Sequence, residues 1–342
     1  MSSILRIDKT ELDQLVSALV ANYRLFGPVD LDGAVVVREV KSADELKLGA
    51  AQLDLPAKAV FFPQTEMLLG YEDGRTEAPA GRDKPAAVIG IRPCDAKGLV
   101  TLDKVFRTGK FQDSYWQRRH DDCLVIGLGC TAPQETCFCN WMNLGPFSRE
   151  GSDIMLTDIG EAFVAESCSD RGERFLKTAY KSRIQRPSQE DLDSAGRIRN
   201  QAQASLQPAV DVTGLKAALA KLWDSPLWDD MALECLSCAA CAYLCPTCHC
   251  FDIQDEKTPG ASQGRRIRIW DTCTSALFTK EASGHNPRSS GKERMRQRVM
   301  HKFSYFVDSF GEVACVGCGR CIRMCPVNLD IRQVLKKVMN AG

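Results

Sequence analysis

Seventeen of the 342 residues are cysteine, and they are bunched rather than spread. One run reads Cys235-Leu-Ser-Cys238-Ala-Ala-Cys241-Ala-Tyr-Leu-Cys245-Pro246, and a second reads Cys315-Val-Gly-Cys318-Gly-Arg-Cys321-Ile-Arg-Met-Cys325-Pro326. Both have the form C-x2-C-x2-C-x3-C-P. Two-residue gaps on a tight loop bring three thiolates to three corners of an iron–sulfur cubane. The fourth cysteine points away and ligates the other cluster of the pair, while its proline forbids continuation of the preceding hydrogen bonding. The spacing therefore assigns Cys235, Cys238, Cys241 and Cys325 to one [4Fe–4S] cluster, and Cys315, Cys318, Cys321 and Cys245 to a second. Crossed ligation holds the two clusters close, as an electron relay requires. Zinc also uses paired C-x2-C knuckles, but two copies of a four-cysteine run ending in proline are the iron–sulfur pattern. Gly317 and Gly319, next to ligands, let backbone N–H groups approach sulfur.

A looser group lies earlier in the chain. Cys94 sits in Ile91-Arg-Pro-Cys94-Asp95 and Cys130 in Gly127-Leu-Gly129-Cys130, each at the end of an apolar run; Cys137-Phe-Cys139 follows. Strand ends are where α/β domains build sites, so Cys94, Cys130, Cys137 and Cys139 form a candidate third [4Fe–4S] site. The alternative is a set of buried thiols of the kind cores commonly hold. Cys248, Cys250 and Cys273 read as packing residues or as weak donors to a cluster, and Cys123 and Cys168 as structural. Gly127-Leu-Gly129 does not complete a dinucleotide fingerprint, and no phosphate loop of the Walker type is present. The four histidines form no constellation. The basic residues Arg265–Arg268 and Arg288–Arg298 read either as a docking face for an acidic partner or as a solvated face.

The elements that must position these groups are legible in outline. Apolar residues at helical spacing predict a helix from Ile7 to Phe26, stopped by Gly27-Pro28. Short apolar runs predict strands at Ala34–Val37, Ala86–Ile91, Cys123–Gly127 and Ile154–Leu156, with a helix over Asp95–Phe106. The polar stretch Lys181–Gln207 reads as an exposed helix or linker, and Leu215–Trp223 as a helix. Cys245 and Cys315 are 70 positions apart, and the insert between them reads as largely helical. The predicted fold is α+β: an N-terminal α/β domain over residues 1–207, then a mainly α-helical dicluster ferredoxin domain over 208–342.

Lys plus Arg equals Asp plus Glu at 44 each, a formal net charge of zero, which gives no support for a nucleic-acid partner. Charges interrupt the first twenty residues, unlike a signal peptide, and no run of about 18 apolar residues suits a membrane span. The expected compartment is the cytoplasm, whose reducing poise suits thiolate–metal chemistry.

Phe61-Phe-Pro63-Gln-Thr-Glu66, Ile91-Arg-Pro-Cys-Asp95, Leu102-Asp-Lys-Val-Phe106, Cys137-Phe-Cys139, Cys245-Pro-Thr-Cys248, Arg268-Ile-Trp270-Asp-Thr-Cys273 and the second cysteine run occur in this order. Together they resemble the iron–sulfur (beta) subunit of cytoplasmic sulfhydrogenases and the A subunit of anaerobic sulfite reductase, over nearly the whole chain. The resemblance implies a subunit without substrate chemistry of its own. It would pass electrons between a partner subunit that carries FAD and binds NAD(P)H and a terminal hydrogenase, sulfite reductase or heterodisulfide-reductase-like subunit. The competing reading is a reductase whose N-terminal domain itself binds flavin or substrate.

Overall fold

The computed structural model describes residues 3–50, 52–79, 81, 84–178, 185–260 and 262–341. The chain divides into two units. One comprises residues 1–61, 83–209 and 316–319; the other comprises 62–82, 210–315 and 320–342.

The first unit is built on a seven-stranded mixed sheet, in the order Ile4–Asp8, Ala162–Ser167, Ile154–Asp158, Cys123–Leu128, Ala86–Ile91, Arg24–Leu31, Ala34–Glu39. The four strands from Ile154–Asp158 to Arg24–Leu31 run parallel to one another. Ala86–Ile91 and Cys123–Leu128 are buried at every position, the near-continuous apolar character expected of strands covered on both faces. Leu15, Leu19, Ile89, Leu124, Ile126 and Phe163 form the centre of its core. Pro93 opens the helix Pro93–Arg107 directly after the strand Ala86–Ile91, where its fixed φ is preorganised and no intrahelical donor is missed.

The expected N-terminal helix is corrected. The chain forms a strand, Ile4–Asp8, then a helix, Leu12–Asn22, then a strand, Arg24–Leu31, that contains Gly27 and Pro28. Pairing with Ala86–Ile91 ends at Phe26, and the Pro28 carbonyl accepts from Lys47 N–H at 2.8 Å. On that edge no strand needs the donor that proline lacks; on the other, Pro28 stands in register with Val37 of Ala34–Glu39. A Cβ on Gly27 would lie 2.2 Å from the Leu46 side chain, so this position is small because of packing. Part of the polar stretch 181–207 is the helix Gln189–Ala204, opened by a reciprocal Ser188–Asp191 cap. Residues 181–184 of that stretch, including Arg183, lie outside the described residues.

The second unit is not only helical. It carries an antiparallel sheet in the order Phe251–Lys257, Gln263–Trp270, Thr65–Glu72, Arg75–Glu77, beside helices that include Leu215–Lys221, Leu227–Glu234, Gly291–Met300 and Ile331–Ala341. The insert after Cys245 thus begins as a β-hairpin. Phe251–Lys257 is exposed along its whole length, and its apolar alternation ends after Phe251 and Ile253, short of what marks a half-buried strand. Cross-strand charge pairs hold it: Arg265 with Glu256 at 2.5 Å and Arg266 with Asp255 at 2.7 Å. Deeper in the sheet, Arg268 and Glu66 form a buried ion pair across the register. Trp270 stacks on Phe62 at 5.7 Å and donates its indole N–H to the Phe62 carbonyl at 3.1 Å.

Candidate metal centres

The two cysteine runs adopt the same local backbone. Ser237 and Ala239 in the first (φ 54° and 66°) and Gly317 and Gly319 in the second (φ 62° and 72°) occupy the left-handed region at equivalent positions. Each loop then enters a short helix, Ala240–Tyr243 or Arg320–Arg323. In the first turn Ser237 N–H reaches Cys235 Sγ at 3.4 Å, and beyond the second run Leu329 N–H reaches Cys325 Sγ at 3.3 Å.

In the second unit, Cys235, Cys238, Cys241 and Cys325 line one cavity, with Cys321 also at its wall. Cys238 is the exposed member. Cys325, though 84 positions beyond Cys241, is thus placed with the three cysteines of the first run. Among the described residues no three His, Cys, Asp or Glu side chains converge closely enough for a single ion; these four rim a void. Four thiols around a void, with backbone donors reaching two of the sulfurs, are the donor set that a cubane takes.

The other set centres on Cys245, beneath the helix Gly291–Met300 and the π-helical turn His301–Tyr305 that continues it. Lys302 Nζ donates to Cys245 Sγ at 3.4 Å and to Thr247 Oγ1 at 3.0 Å. Arg298 donates to Cys248 Sγ at 3.8 Å and to the Cys241 carbonyl at 3.1 Å. The hydrogen bond from Cys248 holds the Cys245 thiol well below its ordinary value; burial opposes this, and Lys302 and Arg298 reinforce it. Burial would push Lys302 down, but the facing Cys245, Cys248 and Cys315 outweigh it and hold the ammonium above its usual range. Arg298 is raised likewise: burial works against it, and Cys241, Cys248, Cys321 and Cys245 prevail. Cys318 belongs to the loop Val316–Gly319 of the first unit.

In the first unit, the parallel strands Ala86–Ile91 and Cys123–Leu128 end side by side. Their carboxyl ends deliver Cys94, in the first turn of the helix Pro93–Arg107, and Cys130. Cys137 and Cys139 follow, the latter opening the short 3-10 helix Cys139–Met142. All four cysteines line one cavity together with Arg92 and Gln52. Gln52 donates to Cys137 Sγ at 3.2 Å and to the Cys318 carbonyl at 2.8 Å. Burial pushes the Cys130 thiol up to about 11 and Cys139 to about 12. Arg92 is buried and donates to the Gly129 carbonyl at 2.9 Å, so it braces the loop that carries Cys130.

Sequence reasoning passed over Arg298, Lys302, Arg92 and Gln52. A signal for the first pair existed: Arg298 and Lys302 are four apart in the same stripe as Met295, Val299 and Phe303, all buried. A charge repeated within an apolar stripe marks a group facing inward. The reading of Arg288–Arg298 as a docking or solvated face does not extend to Arg298, and Arg296 lies over the Trp223 ring at 3.9 Å. Cys250 and Cys273 hydrogen-bond to each other, a contact that holds Cys273 down to about 6.

Residues 234–329 match the family described as 4Fe-4S dicluster domain. The chain is also similar to sulfhydrogenase 2 subunit beta of Pyrococcus furiosus, with 29% identity over 315 residues that cover 92% of each chain. No helix among the described residues is long and apolar enough to cross a membrane.

Proposed function

We propose that the chain is an iron–sulfur electron-transfer subunit of the kind represented by the sulfhydrogenase beta subunit it is similar to, and that it relays electrons between two partner subunits. One is a flavin subunit that binds FAD and NAD(P)H. The other is a terminal hydrogenase, sulfite reductase or heterodisulfide-reductase-like subunit, in a cytoplasmic complex. The observation that carries the reading is the cavity in which Cys325 joins Cys235, Cys238 and Cys241, the crossed set expected of a two-cluster relay. Cys315, Cys318 and Cys321 with Cys245 are the ligands we assign to the second cluster, and Cys94, Cys130, Cys137 and Cys139 to a third. When bound, the clusters supply one-electron transfer.

The chain's own residues bind and shield. In the first run the left-handed loop accompanies three thiols that line one cavity, backbone N–H groups of Ser237 and Leu329 reach sulfur, and apolar neighbours keep water from the buried thiolates. In the first unit, Arg92 and Gln52 fix the loops that present the cysteines. No residue is assigned to substrate chemistry.

Iron and acid-labile sulfide analysis of anaerobically purified chain tests the assignment. About twelve of each per chain supports three cubanes, about eight supports two, and none refutes the reading. Reduction by NAD(P)H is expected only when the flavin subunit is added; reduction of the isolated chain would refute the relay role.

A further inference from the structure

Arg298 and Lys302 are each 6% exposed, one helical turn apart, and among the described residues neither is paired with a carboxylate. A buried, uncompensated charge is costly, so buried charges are paired or set against a metal centre. What faces these two cations is sulfur. Lys302 Nζ contacts Cys245 Sγ at 3.4 Å and is locked by Thr247 Oγ1 at 3.0 Å and the Ala314 carbonyl at 2.5 Å. Thr247 Oγ1 itself donates to the Ala314 carbonyl at 2.7 Å. Arg298 is tethered to the Cys241 carbonyl at 3.1 Å, and its guanidinium reaches Cys248 Sγ at 3.8 Å. Arg298 thus touches the first run, whereas the ammonium of Lys302 is committed to Cys245, the thiolate assigned to the cluster of the second run.

We propose that Lys302 is a potential-setting residue: its buried ammonium, held against Cys245 and paired with no carboxylate among the described residues, raises the reduction potential of the Cys245-ligated cluster. The inference rests on the cluster assignment above. A cluster bound by four thiolates is anionic and gains one further negative charge when it takes up an electron, with no bond broken. A fixed positive charge in a low-dielectric interior favours that more negative state, and hydrogen bonds to ligand sulfur act in the same direction. Arg298, which lines the cavity of the first run, acts in the same sense there, so the contribution of Lys302 is read on the Cys245-ligated cluster. Lys302 is a positioning residue in this scheme, acting through Cys245.

The test is an EPR-monitored redox titration of the full chain, purified anaerobically with its clusters, poised with dithionite and mediators. Lys302→Gln keeps a hydrogen-bond donor but removes the charge; Lys302→Arg keeps both. In Lys302→Gln, the reduction equilibrium of one cluster is expected to fall about tenfold, a shift of about 59 mV for one electron. The other cluster moves distinctly less, and Lys302→Arg stays near the parent. The proposal is overturned if Lys302→Gln keeps its iron and sulfide with unmoved potentials, if both clusters shift equally, or if Lys302→Arg shifts as far as Lys302→Gln. Loss of a cluster from Lys302→Gln alone also overturns it, since the charge then retains metal rather than setting its potential. Parent protein devoid of iron and sulfide would instead defeat the cluster assignment itself.

Discussion

Gly317→Ala isolates how the second cysteine run is seated. Gly317 has φ 62°, a conformation that costs an L-residue about 1–2 kcal/mol. A Cβ there would lie 2.4 Å from the Phe138 carbonyl oxygen and 2.5 Å from Cys139 N, both backbone atoms. These cannot swing aside, and Phe138 N–H already donates to the Gly317 carbonyl at 2.8 Å. Overpacking of this kind costs about 1–3 kcal/mol, so the two contributions together come to about 2–5 kcal/mol. Ser237, at the equivalent place in the first run, is the internal comparison: it has φ 54° and carries a side chain. Ser237→Gly should therefore stabilise by up to about 1 kcal/mol by relieving the left-handed strain. The assay is anaerobic urea unfolding followed by tryptophan fluorescence and cluster absorbance, with iron counted in the folded state. A Gly317→Ala protein that unfolds at the parental midpoint with its full iron would refute the argument that this loop is clamped against Phe138 and Cys139.

Three further outcomes follow from the same geometry. Cys325→Ser should remove the cluster of the first run and lower iron by about four per chain; EPR that shows the second-run cluster lost instead would reverse the crossed assignment. Arg268→Met strands Glu66 without this counter-charge in a buried sheet position, at a cost of about 3–5 kcal/mol; a chemical denaturation midpoint unchanged from the parent would contradict it. Burial, reinforced by His249, Lys302 and Arg288, lowers the His301 pKa to about 4 from an ordinary 6.5. The unfolded state then binds the extra proton first, so stability should rise with pH between about 4 and 6.5 and be level above that window. His301→Gln should flatten this limb in denaturation curves taken across that range, and a parental slope in the variant would refute it.

The two ferredoxin-type runs were readable because their spacing is covalent: the same offsets produce the same left-handed loops whether the residues there are Ser237 and Ala239 or Gly317 and Gly319. The third group was readable for a different reason. Its first two cysteines follow apolar runs that became adjacent parallel strands, and adjacent parallel strands end at one edge. The misreadings share a cause. A run such as Phe251–Lys257 is a strand because of its partner across the hairpin, and nothing in its own pattern says so. Gly27-Pro28 looked like a stop because the local rule is sound, but the neighbouring strand had already ended its pairing at Phe26. Arg298 reads as part of a docking or solvated face and Lys302 draws no reading, because a sequence does not show which thiols a helix will cover.

The assignment of Val316–Gly319 to the first unit bears on how the gene can be dissected. Truncation after residue 209 would yield an N-terminal fragment without the four residues that cap its cysteine loop, and Phe138 N–H and Gln52 would each lose an acceptor. Such a fragment should be poorly soluble or metal-poor when expressed alone. Supplying the C-terminal fragment in trans restores the missing stitch, which makes split-gene complementation a practical route to labelling the two halves separately.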